Sequence, residues 1–466
     1  MPDEAVAPAV PAPRFDVVRA LREAGVTALI AFGLFLPLVG FNTIQNIRNE
    51  LVLGTRWVLL FSIVAIIAGL RFVQVAAIAP YLAADRRPVR SAFPGIEPIE
   101  PPWWTKHFML GALIVYPLLA VLFTFIINGA PAGAAKWIDN FGIQILIYVL
   151  LGWGLNVVVG FAGLLDLGYV AFYAIGAYTC ALLGLHFGLS FWMLLPLAGV
   201  LAAFWGILLG FPVLRLRGDY LAVVTLAFGE IIRIVLINWV PVTKGYAGIS
   251  SLPRPSFFGI PFVDAPGGFA DRFGLPFSPL HRLLFLYYIL LGVVLLSAVI
   301  IGRLRRLPVG RSWEALREDE IACRALGINT TNSKLAAFAI GAFFGGIAGA
   351  LFTARQGFIS PESVNFSESA LILAIVVLGG MGSMTGVAIA AAVIIGGTEA
   401  LRELGFLKQI FGPEFDPAQY RMLLFGFAMV VIIVWKPRGL IGTREPTVVL
   451  KERKTIDSSL VREGHG

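Results

Sequence analysis

The sequence predicts an all-α, polytopic transmembrane bundle of about ten to twelve spans, some of them broken or re-entrant. Three observations predict it. Hydrophobic residues make up 58% of the 466-residue chain and charged residues only 14%, with a mean hydropathy of +0.84; an ordinary soluble protein is nearer one quarter charged. Apolar runs recur from residue 26 to residue 436, each long enough for a helix to cross a hydrocarbon core of ~30 Å. Runs of that length suit helices, which satisfy their backbone internally, rather than barrel strands of ~10 residues.

Residues 1–24, rich in alanine and proline and without a basic leader, are expected to form a disordered cytoplasmic tail. Residues 25–106 read as an added helix pair, with spans at 25–41 and 57–80. A proline- and arginine-rich connector follows and ends in Trp103 and Trp104, whose rings suit a membrane interface. Arg71 interrupts the second span, where it either snorkels outward or carries a functional charge. Residues 107–442 form the expected core, and 443–466 a second cytoplasmic tail. Core spans fall near 107–128, 141–160, 163–185, 190–213, 219–240, 282–302, 335–353, 367–380, 384–401 and 420–436. The pair 367–380 and 384–401 reads either as two crossings or as a broken hairpin.

The net charge of +8 reflects arginine-rich loops of a membrane protein rather than nucleic-acid binding. Loop 303–334 carries Arg303, Arg305, Arg306, Arg311, Arg317, Arg324 and Lys334, and 83–106 carries Arg86, Arg87, Arg90 and Lys106. The positive-inside rule makes these loops, and with them both termini, cytoplasmic. Cys180 and Cys323 lie far apart, and four scattered histidines offer no metal spacing. The dipeptide Gly-Lys never occurs, so no Walker phosphate loop can form. No H-E-x-x-H and no nucleophile–base constellation is present. The chain is therefore expected to be no enzyme and to need no cofactor or metal, and any nucleotide-driven work falls to another polypeptide.

Loop 303–334 is too long and too patterned to be a simple connection. Ser312 is a candidate helix N-cap, Glu314, Glu318, Asp319 and Glu320 suit the positive end of a helix dipole, and Gly327 suits a left-handed C-cap. One or two short surface helices are expected there. The segment EIACRALGI, Glu320 to Ile328, resembles the coupling-loop motif of ABC importer permeases, with Ile321, Ala322 and Cys323 preceding Gly327. The isoleucine is similar to the branched-chain amino acid version of that motif, in which Cys323 stands where alanine is usual. GFAGLLDLGYVAFYAIGAYTCALL, the stretch from Gly357 to Val393 and the terminal WKPRGLIG resemble LivM-type permeases, over roughly residues 107–442.

The resemblance implies a transmembrane subunit of a bacterial inner-membrane, ATP-driven importer of branched-chain amino acids that works by alternating access. It implies a second, LivH-type permease, two cytoplasmic ATPases and a periplasmic substrate-binding protein as partners, in membrane lipid and without nucleic acid. It also implies that Glu320, Ala322, Cys323, Arg324 and Gly327 couple to the ATPases. Related permeases carry urea or short amides. A self-sufficient ion-coupled carrier is a further alternative, against which Asp166, Glu230, Glu368 and Glu399 mostly fall near span ends.

Within the spans, Gly160, Gly168, Gly176 and Gly184 recur every eight residues and Gly341, Gly345 and Gly349 every four. On helices these make close-packing faces, which can also shift between two arrangements. GGMGSMTG, with Gly379, Gly380, Gly382 and Gly386, predicts a helix break, since each glycine costs ~1 kcal/mol relative to alanine; it either lines a pathway or makes a re-entrant turn. Asp166 is too costly to face lipid and reads as an interfacial cap or a gating group. With Tyr169, Phe172, Gly176 and Tyr178 it completes the candidate translocation set. Glu230 and Arg233 are three apart, as an internal ion pair or a contact to the coupling machinery.

Overall fold

A computed structural model describes residues 17–35, 41–45, 51–55, 57–73, most of 111–124 and 133–403, and a few residues beyond. The expected span 420–436 and the tail 443–466 lie outside the described residues, apart from Gly426 and Val430. The chain divides into two compact units, residues 1–102 and 103–466.

In the first unit, helix α1 (Val17–Phe35) and helix α2 (Trp57–Val73) flank an antiparallel hairpin of β1 (Phe41–Gln45) and β2 (Leu51–Thr55), with Phe41 opposite Thr55. The helix thus begins eight residues before the expected span, and the chain is extended from Phe41, where that span should have ended. Arg71 pairs with Glu23 of α1 at 3.0 Å, and Phe32 stacks on Phe61 with ring centres 6.0 Å apart.

A short apolar helix, α3 (Leu113–Leu122), is the first element described in the second unit. Among the described residues, seven helical stretches are long and apolar enough to cross a membrane. Six are α4 (Ala134–Phe161), α5 (Val170–Phe187), α6 (Phe191–Val213), α7 (Asp219–Asn238), α8 (Pro279–Arg306) and, later in the chain, α11 (Thr330–Gln356). The two short helices between α8 and α11 are α9 (Pro308–Glu318) and α10 (Glu320–Ala325). The seventh stretch, Pro361–Gly379, ends in α12 (Phe366–Gly379), and α13 (Met384–Glu403) follows. Two-residue strands β3 (Ile249–Ser250) and β4 (Phe358–Ile359) tie the long 241–281 connection to the end of α11.

Helix α11 is the axis of the unit, and its glycines explain why. A side chain on Gly341 would collide with the backbone of Gly154 on α4, one on Gly346 with that of Ala198 on α6, and one on Gly349 with that of Tyr173 on α5. Three backbones therefore approach one helix, each through a different small residue, as membrane helices do without a water-driven hydrophobic force. Burial follows this arrangement. The most apolar window of α4 is 83% buried and that of α11 67%, whereas α7 reaches only 28%. Helix α4 is also irregular, with π-helical turns at Trp137–Ile143 and Asn156–Phe161, a local widening that often accompanies function.

Candidate functional site: a capped helical loop joined to the bundle

The loop between α8 and α11 is a rigid two-helix unit. Pro308 opens α9 at its first turn, where a missing N–H costs nothing. Ser312, expected as the cap, lies inside α9 and donates to the Val309 carbonyl at 2.7 Å. The sequence pattern misplaced that cap because proline starts the helix one turn earlier. Asp319 then caps α10, its Oδ1 accepting from the backbone N–H groups of Ile321 at 2.7 Å and Ala322 at 3.1 Å. Gly327, at φ +80°, ends α10 as expected. The Ile328 N–H donates to the Cys323 carbonyl at 3.0 Å and the Gly327 N–H to that of Arg324 at 3.1 Å, the paired bonds of a Schellman stop. Asn329 at once caps α11, accepting from the Asn332 N–H at 3.0 Å.

Buried anchors fix this unit to the bundle. Trp313 is 1% exposed and its ring N–H donates to the Ser333 carbonyl at 2.8 Å. Cys323 faces inward and is buried, so of the five coupling residues named from the sequence it holds α10 in place instead of meeting solvent. Ala322, Arg324 and Gly327 are exposed. Glu320 bonds Arg324 at 2.6 Å and the buried Lys334 at 3.0 Å. Burial raises the Glu320 carboxyl, but the hydrogen bonds and charges of Lys334 and Arg324 outweigh it and hold the group below its ordinary value. Beside this polar tether, Ile321 is 69% and Leu326 80% exposed, two large apolar side chains held outward on a short helix.

Arg317, at the end of α9, reaches the other way. Its guanidinium donates to the Gly160 carbonyl at the end of α4 and lies against Gly382. Gly382 in turn donates its N–H to Asn156 Oδ1 at 2.8 Å. A cleft of about 220 Å³ lies alongside, lined by Gly163, Leu165, Gly218, Asp219, Arg317 and Glu320 among others. One side chain thus joins the surface loop to the irregular end of α4 and to the break between α12 and α13.

That break is where the glycine run predicted it. Helix α12 ends at Gly379, Gly380 takes φ +102°, and α13 begins at Met384. Gly379 and Gly386 pack backbone to backbone, so that a side chain on either would collide with the other. The turn sits at the Arg317 end of the bundle.

The remaining candidate residues gather between α4, α5, α7 and α11. The expected span 163–185 starts late. Residues 162–169 form a loop and α5 begins at Val170, so Gly160 and Gly168 do not share a helix face with Gly176. The eight-residue spacing misled because it presumes one continuous helix. Asp166 sits in this loop at 1% exposure. Its Oδ1 accepts from the Gly168 N–H at 2.9 Å, while Thr225 of α7 accepts from the Leu167 N–H at 3.0 Å. Gly168 lies on the backbone of Thr225, and Gly176 on that of Gly346. Tyr169 donates to the Gly341 carbonyl at 2.9 Å. Phe172 and Tyr178 are buried.

Sequence reasoning missed Arg317, Asn156 and Trp313. It also missed a polar cluster at the other end of α11, where Arg355 holds Asp139 through two bonds of 2.7 and 3.1 Å. Tyr148 there donates to Glu368 at 2.7 Å, and Asn140 to Glu399 at 3.4 Å. The signal was available for Arg355, a cation at the end of an apolar span. It was not available for Asn156, an amide inside an otherwise plain run.

Comparison with known proteins agrees with this architecture. Residues 137–433 match the family described as the branched-chain amino acid transport system permease component, and residues 19–125 match a domain of unknown function. The high-affinity branched-chain amino acid transport system permease protein LivM of Escherichia coli K12 is 47% identical over 369 residues, covering 78% of this chain and 84% of that protein. LivM of Salmonella typhimurium is 49% identical over 351 residues, covering 74% and 77%. LivH, a permease protein of the same E. coli system, is 25% identical over 309 residues, covering 64% and 92%. No solved structure matches. The chain belongs to the family of branched-chain amino acid transport permeases.

Proposed function

We propose that this chain is the transmembrane permease subunit of an ATP-driven, binding-protein-dependent importer of branched-chain amino acids. It sits in a bacterial inner membrane with both termini and the α9–α10 loop on the cytoplasmic side. The observation that carries the reading is the α9–α10 unit itself. Three caps within eleven residues make it stiff, Ile321 and Leu326 face outward, and Arg317 faces the membrane helices. A stiff element with an apolar tip suits docking to a separate protein, because it loses little entropy on binding. The chain lacks a phosphate loop, so two cytoplasmic ATPases supply the hydrolysis, a LivH-type permease the other half of the pathway, and a periplasmic binding protein the substrate.

Closure of the ATPases moves α9 and α10. Arg317 carries that movement to Gly160 and to the turn at Gly382, and the Gly176–Gly346 contact lets α5 slide on α11. Asp166, Tyr169, Phe172, Tyr178, Gly379, Gly380 and Gly386 belong to this moving region, where the helices exchange an inward for an outward opening.

The test is uptake of labelled leucine into proteoliposomes holding this chain, the second permease and both ATPases, with binding protein supplied. Uptake that needs ATP and binding protein, and that unlabelled urea and short amides fail to compete, is expected. Uptake by the chain alone on an ion gradient would overturn the reading, and competition by urea would change its substrate.

A further inference from the structure

Among the described residues, helix α7 is the least buried of the candidate membrane-spanning helices, and it carries a charged pair placed well inside its span. Counted from Asp219, Glu230 is eleven residues along the helix, or about 16 Å at 1.5 Å per residue, roughly half the ~30 Å of a hydrocarbon core. Most of the other membrane carboxylates lie at helix ends, as the sequence implied, but Glu230 does not.

The pair is loose and open. Arg233 Nη1 and Glu230 Oε2 are 3.5 Å apart, and the two side chains remain 28% and 40% exposed. Arg233 Nε is buried and, among the described residues, has no hydrogen-bond partner. Partly exposed charges well inside a membrane span cannot face lipid at reasonable cost, and an i,i+3 pair returns only a small part of that cost. The face beside the pair is apolar: Val223, Ile231 and Ile234 are each more than half exposed, with Ala227 between them. An opposite-charge pair next to an aliphatic strip matches one chemistry in full, a zwitterionic amino acid with a hydrocarbon side chain.

Resting on the importer reading above, we infer that Glu230 and Arg233 form a substrate site within the pathway. Arg233 takes the carboxylate of the passing amino acid through its guanidinium, Glu230 takes the ammonium group, and the Val223–Ile231–Ile234 strip takes the side chain. Membrane carriers commonly place substrate sites near the bilayer midplane. The inner face of α7 positions the pair, since Gly229, one residue from Glu230, packs directly on the backbone of Gly168.

The experiment uses the full complex in proteoliposomes with leucine-loaded binding protein, and reads leucine uptake and ATP hydrolysis together. Glu230→Gln and Arg233→Gln should each lower uptake about tenfold or more, the loss expected for a charge-assisted hydrogen bond. Stimulated hydrolysis should stay within about twofold of the unmodified complex, because the coupling loop is untouched. Arg233→Lys, which keeps the charge, should restore part of the uptake. Unchanged uptake in both glutamine variants would overturn the inference. So would loss of the second permease from the purified variants, which would make the pair a subunit contact. Failure of the unmodified complex to carry leucine would instead remove the importer reading on which the inference rests.

Discussion

Glu320 shows how a side chain in the loop between α8 and α11 can hold a surface helix without being fully buried. It reaches Arg324 on its own helix and Lys334 on the next, and Lys334 is only 4% exposed. Because its carboxyl is held below the ordinary value, its stabilising contribution is complete above the ordinary glutamate range and disappears as pH falls through the lowered value. Glu320→Gln should therefore lower the thermal midpoint at neutral pH, leaving the Lys334 charge buried without its partner. The gap to the unmodified protein should close on acidification, as read by unfolding scans across pH. An equal gap at every pH would show that the tether does not act through charge. Of such details the sequence disclosed part. Gly327 was legible because a C-cap is local, whereas the acidic residues, read as the first turns of a helix capped by Ser312, divide between α9 and the start of α10. The Lys334 contact was not legible, because it depends on how α11 returns beside α10.

The elements were more legible than their ends. Spans at 190–213, 219–240, 282–302 and 335–353 recur as α6, α7, α8 and α11, since long apolar runs fix length and placement together. The 162–169 loop escaped notice because its composition matches that of the helix after it. What breaks it is Gly163 at φ +71°, the Asp166 side chain and a partner on α7, and the last of these is remote in sequence. The α9–α10 unit gives the sharpest prediction for an element. Its exposed apolar tip should behave as the centre of an interface, where truncating a large side chain commonly costs ~1–2 kcal/mol or more. Leu326→Asp should thus weaken co-purification of the ATPases about tenfold or more, while membrane insertion and the helical content of the chain stay unchanged. Retention of the ATPases at wild-type levels would remove Leu326 from the docking face.

At the scale of the molecule, the contacts form a continuous path from the loop into the bundle. A loop stiffened by three caps sits outside the bundle, a glycine-packed set of helices sits within it, and Arg317 lies between, bonded to the end of α4 and resting on the α12–α13 turn. Family membership gives the chain its place in a transport system; on the importer reading proposed above, these contacts are the route by which movement would enter the bundle. Neither the Arg317–Gly160 bond nor its Asn156–Gly382 neighbour could be read from composition, for each joins segments more than 150 residues apart. The measurement to make is leucine transported per ATP hydrolysed in one set of proteoliposomes, for the unmodified complex and for Arg317→Ala. If Arg317 transmits the movement, the variant keeps its ATPases and its stimulated hydrolysis but transports about tenfold less leucine per ATP, the scale of one lost charge-assisted bond. An unchanged ratio would contradict the account and place the transmission elsewhere.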